Sequence, residues 1–181
     1  MDCQTEIAAP YLDPINLDEL HMTLDRIGFE ADLNDNDICS IESAAESACK
    51  SIESFTLAAG PLAGSSGAIR FSTTPWEPIL RVREALRQAI AAKVPRVEFE
   101  TGTFNPHIGI AYCNSDIPAE PVIQAVRPMR KMPKATVSVE RVSLVLLERR
   151  ECSWRWTTRR SFPLAQSRSN QQSTRPPTAT H

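Results

Sequence analysis

Two histidines carry the strongest chemical signal in this chain. They occupy matching settings, His21-Met22-Thr23-Leu24 and His107-Ile108-Gly109-Ile110, each with apolar residues at the first and third positions after the imidazole. If both segments are extended, alternate side chains share a face. His21 and Thr23 then project together, His107 projects with Gly109, and the aliphatic residues turn inward. An imidazole ordinarily titrates near pH 6.5, so one ring takes a proton from water while a second, protonated, gives one to a leaving oxygen. A hydroxyl beside them, here that of Thr23, would hold a non-bridging phosphate oxygen as charge develops there. A single histidine in a strand is usually an ordinary residue with a satisfied hydrogen bond. Two in the same local pattern, 86 positions apart, favour a shared task across a cleft. The third, His181, ends a polar tail and is set aside.

Other reactive groups offer less. Cys3, Cys39, Cys49, Cys113 and Cys152 form no C-x-x-C pair, which argues against a disulfide framework and a structural zinc. No metal-ligand cluster is visible, no cofactor is expected, and Cys113 has no partners for nucleophilic work. Tyr112, counted by twos from Ile108 and Ile110, points to the core. Arg70, in the hairpin that leads to the central helix, is within the set of groups that could approach a ligand and is left undecided. Trp154 and Trp156 share one strand face and are read as packing. Arg81, Arg83 and Arg87 fall on the solvent side of a helix, and Arg159 and Arg160 are read as solvated surface charges.

The elements that must place these groups follow from periodicity. A loose leader is expected over 1–11, and PYLDPINLDEL supplies at most a short helical turn. Residues 20–29 alternate and predict a strand. Residues 37–53 predict a helix capped by Asp35 or Asn36, with Ile38, Ile41, Ala45, Ala48, Cys49 and Ile52 at helical spacing. A hairpin is expected over 54–74, a helix from Trp76 to Lys93 after Pro75, a strand over 103–113 and a short helix from Pro118 to Met129. A long strand over 135–148 should pair with one over 152–160 through a turn at 149–151. Residues 165–181 lack acidic groups and a core, so disorder is expected. The mixture of antiparallel strands and helices without a strict βαβ rhythm points to an α+β fold, with a single domain over 12–164.

Length and charge bound the rest. The chain has 181 residues, 41% of them hydrophobic, enough for a core of one domain or two small lobes. It has no apolar run long enough for a membrane span and no signal-peptide pattern, and a reduced, cytoplasmic setting is expected, with a monomer as the simplest state. Residues 1–53 carry thirteen acidic and two basic side chains, whereas 54–181 carry nine acidic and eighteen basic. That asymmetry reads first as two parts of one fold attracting each other, and second as a positive wall for a phosphate-bearing ligand.

HMTLDRIGF and FNPHIGIAYCN resemble the paired H-x-[ST] motifs of the two-histidine (2H) phosphoesterase superfamily, and most of all bacterial 2'-5' RNA ligase family proteins. GAIRFSTTPWEPILRVREALR and VSVERVSLVLLER add to a resemblance running from about Leu12 to Pro163. It implies a bilobal fold whose two antiparallel sheets line a central cleft, with helices outside. It also implies metal-independent hydrolysis or ligation of 2',3'-cyclic or 2',5'-linked phosphoesters, with RNA ends or cyclic nucleotides as substrate. His21 and His107 would be acid and base, in an order left open, and Thr23 would bind phosphate. Two departures stand out: Gly109 replaces the second hydroxyl, and only 20 residues precede His21, so the first lobe is expected to lack a strand. A rival reading on the same residues is a phosphate- or RNA-end-binding protein without turnover.

Overall fold

The computed structural model describes residues 3–150 and 153–166. Five strands form one antiparallel sheet in the order β1 (Leu12–Pro14), β4 (His107–Cys113), β3 (Ala68–Thr74), β2 (Phe55–Gly64), β5 (Ala135–Val139). Its inner face presents Leu62, Ile69, Ile110 and Ala111 to helix α4 (Ala119–Val126) and the 3-10 turn Arg127–Lys131, whose Val122, Val126 and Met129 close the core. Gly64 permits this approach: a Cβ there would lie 2.9 Å from the Val122 carbonyl oxygen.

The second sheet is the hairpin of β6 (Arg141–Arg150) and β7 (Ser153–Pro163). Val142, Leu144 and Phe162 on its inner face pack against α2 (Asp35–Lys50) and α3 (Glu77–Lys93). These helices bury Ile41, Ala44, Ala45, Ala48 and Cys49 on one side and Val82, Leu86 and Ile90 on the other, the stripes their periodicity requires. The cap of α2 is Asn34, one residue earlier than expected. Its side chain accepts from the Asp37 N–H at 3.0 Å while Asp37 accepts from the Asn34 N–H at 2.8 Å, a reciprocal capping box.

The α+β class with two antiparallel sheets is therefore the one observed, and several boundaries differ. The long strand expected over 135–148 is interrupted at Glu140, so that β5 and β6 belong to different sheets one residue apart. The segment read as a loose leader contains α1 (Cys3–Glu6) and buries Ile7 in the first core, because apolar Ile7 and Leu12 flank a turn short enough to fold both inward. PYLDP contributes the edge strand β1, and NLDE the short helical turn that was expected, Leu17–Glu19. Residues 20–29 form no strand. Leu24 and Ile27, three residues apart, pack against the cores beneath α2 and α3, whereas Phe29 is exposed, so burial along this segment does not follow the alternation. At the C-terminal end Ala165 is bonded to Ile52 and Ser54. The rest of the expected tail, 167–181, lies outside the described residues, as do 151–152 of the expected turn.

Candidate functional site

His107 begins β4 and pairs in register with Ser72 of β3. The residue before it is fixed as well: buried Thr73 donates its hydroxyl proton to the Pro106 carbonyl at 3.1 Å. The His107 ring is exposed, and its Nδ1–H donates to the Asn105 carbonyl at 2.7 Å. A carbonyl oxygen only accepts, so this bond assigns the proton to Nδ1 and leaves Nε2 open toward solvent.

His21 repeats the device. Its Nδ1–H donates to the carbonyl of Glu19, again two residues back, at 2.9 Å. No strand partner holds this segment; side chains do. The His21 ring meets Trp156 of β7 edge-on, with centroids 4.3 Å apart and planes at 63°. Glu19 is ion-paired to Arg155, also on β7. Thr23 is exposed, and the strand that was expected to set it on one face with His21 does not form. Trp156, read from the sequence as packing, is thus the support of one imidazole. On the same sheet face Val145 and Leu147 are exposed, Leu147 lying directly across the ladder from Trp156. Nothing is described of the Trp154 side chain.

Arginines of α3 tie the two histidine segments together. Arg83 donates to the Leu24 carbonyl at 3.0 Å and to Asp25 at 3.1 Å, and its guanidinium lies 4.4 Å from the Phe104 ring centroid. Arg87 grips the same carboxylate at 2.8 and 2.6 Å and also donates to the Glu100 carbonyl at 2.7 Å. Phe104 precedes His107 by three residues, and Leu24 follows His21 by three. The expectation that Arg83 and Arg87 face solvent is overturned: their side chains are 15% and 18% exposed and Asp25 is 13% exposed. The helix periodicity did not foresee this because a carboxylate from outside the helix covers its polar face. The Arg87 guanidinium is held above its ordinary pKa chiefly by its hydrogen bond to Asp25. Arg81, in contrast, is exposed and pairs with Glu77.

The register of β3 and β4 also corrects Tyr112. Arg70 pairs with Gly109 and Ser72 with His107, but Ile69 pairs with Ala111 and Ala68 with Tyr112, so Ile110 is an extra residue on β4. Such a bulge shifts the alternation by one. Tyr112 therefore falls on the face of Ala68, Arg70, Ser72 and His107 instead of the core, and its partial burial there raises the phenol's pKa. Cys49 is fully buried, with its thiol pushed up to about 11, and plays no part in this surface. Cys113 packs against the first core.

A sequence model of the 2'-5' RNA ligase superfamily matches residues 4–151. The chain belongs to that superfamily. Among solved structures it is similar to TT0787 of Thermus thermophilus (18% identity, TM-score 0.67, covering 90% of this chain and 88% of that one). It is similar in the same way to E. coli LigT complexed with 3'-AMP (18% identity, TM-score 0.65, 90% and 87%). A phosphoesterase also matches at 16% identity, with a TM-score of 0.62 and 91% and 92% covered. At these identities the likeness establishes the shared fold. No curated protein sequence matches.

In this member of the 2'-5' RNA ligase superfamily, Gly109, at the position where the motif resemblance implies a second hydroxyl, lies in a tight place. A Cβ at this position would lie 3.3 Å from Cδ1 of Ile15, the residue after β1, closer than ordinary van der Waals contact. The Ile15 N–H donates to the Ile110 carbonyl at 2.9 Å and keeps it there. The charge asymmetry of this member is used in part in structure. Asp25, Asp37, Glu19, Glu42 and Glu46 of the acidic part pair with Arg83, Arg87, Arg96, Arg155, Arg159 and Arg160 of the basic part. Among the described residues no cluster of His, Cys, Asp and Glu is arranged to hold a metal ion, and no helix is long and apolar enough to cross a membrane.

Proposed function

We propose that the chain is a phosphoesterase acting on 2',3'-cyclic phosphate or 2',5'-linked RNA or nucleotide ends, with His21 and His107 as acid and base. The observation that carries this reading is the repeated bond of each Nδ1–H to the carbonyl two residues back. It presents two Nε2 atoms in the same protonation geometry on segments that Arg83 bridges. For a cyclic phosphate, one Nε2 removes a proton from water as the water oxygen bonds to phosphorus. The other Nε2–H gives its proton to the ribose oxygen whose bond to phosphorus breaks, leaving a phosphomonoester. Thr23 contributes its hydroxyl to a non-bridging oxygen, and exposed Val145 and Leu147, beside half-buried Trp156, offer an apolar wall to the nucleoside. The imidazoles supply both proton transfers, so the step as written needs no metal.

Hydrolysis of 2',3'-cyclic nucleotides by the wild type, His21→Ala and His107→Ala proteins tests the assignment. Each substitution should lower kcat by at least about 10²-fold; equal rates in all three proteins would remove it. A second reading, binding of a phosphorylated RNA end without turnover, is favoured by the Ile15 tip over Gly109. Under that reading an oligonucleotide with a cyclic-phosphate end binds and is recovered intact.

A further inference from the structure

We propose that Arg70 is the group that holds a non-bridging phosphate oxygen beside His107, taking the part of the hydroxyl that Gly109 lacks. This rests on the phosphoesterase reading and adds to it a binding residue of this chain's own.

Three observations converge. The first is register: Arg70 lies directly across the ladder from Gly109 and on the face of His107, two positions along the strand from Ser72. Directly opposed residues in an antiparallel pair have Cβ atoms about 5 Å apart, well within the reach of a guanidinium on a three-carbon stem. The second is charge. Arg26, Arg81, Arg83, Arg87, Arg96, Arg155, Arg159 and Arg160 each have a carboxylate partner. Arg70 has none among the described residues although it is half-buried, whereas Arg127, Arg130 and Arg141, also without one, are exposed to water. A partly desolvated cation facing a site without a counter-ion is stabilised by any anion that arrives there. The third is space. A Cβ at Gly109 would lie 3.3 Å from the Ile15 tip, a tight approach, whereas the Arg70 stem rises from the neighbouring strand onto the same face. A guanidinium suits the task because its fork of N–H donors matches the two non-bridging oxygens of a cyclic phosphodiester.

The test uses the full chain with Arg70→Ala, Arg70→Lys, Gly109→Ser and the double variant Arg70→Ala/Gly109→Ser. Two quantities are measured: steady-state hydrolysis of a 2',3'-cyclic nucleotide, and the response of the His21 and His107 ring NMR signals to inorganic phosphate. Arg70→Ala should lower kcat/KM by about 10²-fold or more, the scale of a lost oxyanion donor, with an unchanged melting temperature. Arg70→Lys should retain part of the activity. Gly109→Ser should help little alone but recover activity in the Arg70→Ala background, a rescue that a purely structural role of Arg70 would not give. If the wild type hydrolyses the substrate through both histidines and Arg70→Ala matches it in rate and phosphate response, the assignment of Arg70 is overturned and the phosphoesterase reading stands. If the wild type hydrolyses nothing, yet phosphate shifts its ring signals and not those of Arg70→Ala, the anion contact stands and the reaction falls. If phosphate shifts nothing in the wild type and no turnover is seen, both fall.

Discussion

The two histidines reach similar geometries by opposite means. His107 is held from behind by backbone: β4 is laddered to β3 on one side and β1 on the other, and Thr73 fixes the residue before it. His21 is held from the front by side chains, through Trp156, the Glu19–Arg155 pair and the Asp25–Arg83–Arg87 cluster, on a segment without a ladder. Both end with Nδ1–H on the carbonyl two residues back. A local turn and one short-range bond thus set the tautomer, while the surroundings set only where the ring stands. It follows that the His21 side should be sensitive to side-chain truncation and the His107 side comparatively tolerant.

Asp25→Ala should sharpen this contrast most. It leaves two mostly buried guanidinium groups facing each other without an anion, a loss of about 3–5 kcal/mol for breaking a buried pair from one side. Urea unfolding should show it; a loss under about 1 kcal/mol would mean the cluster is wetter than its burial indicates. Trp156→Ala is next, at about 1–2 kcal/mol for a half-buried ring and its aromatic contact. Its NMR signature should be confined to the His21 ring, and an equal shift at His107 would break the comparison. Thr73→Val removes the bond to Pro106 and leaves a buried carbonyl unpaired, which costs about 1–2 kcal/mol and should disturb His107 and spare His21. Smallest is Glu42→Gln, which loosens the exposed Arg159 and Arg160 by no more than about 1 kcal/mol, an effect that salt should erase.

Much of the fold was legible in the sequence, for identifiable reasons. The helical stripes of α2 and α3 are local patterns that the packing preserves, and of the two candidate imidazole motifs the second lies on the expected strand while the first does not. What was not legible depends on register or on distant partners. Tyr112 changed face because Ile110 is one residue too many for its ladder, and counting by twos has no means of detecting a bulge. Arg83 and Arg87 looked solvated because their partner, Asp25, lies some sixty positions away on a segment outside the helix. Residues 20–29 looked like a strand because apolar and polar types alternate there, but the side chains actually covered, Leu24 and Ile27, are three apart and pack without any neighbouring strand. Trp156 fell between these cases: its face was read from parity, but its companion His21 was 135 positions upstream.

The cluster on α3 carries a further consequence. Arg83 and Arg87 are one helical turn apart and moor the same single carboxylate, each also fastened to a different backbone oxygen. Losing either arginine leaves the other rope in place, whereas losing Asp25 casts off both. Substitutions should therefore accumulate more freely at the two cations than at the one anion, an imbalance of tolerance that the symmetric look of an ion pair conceals.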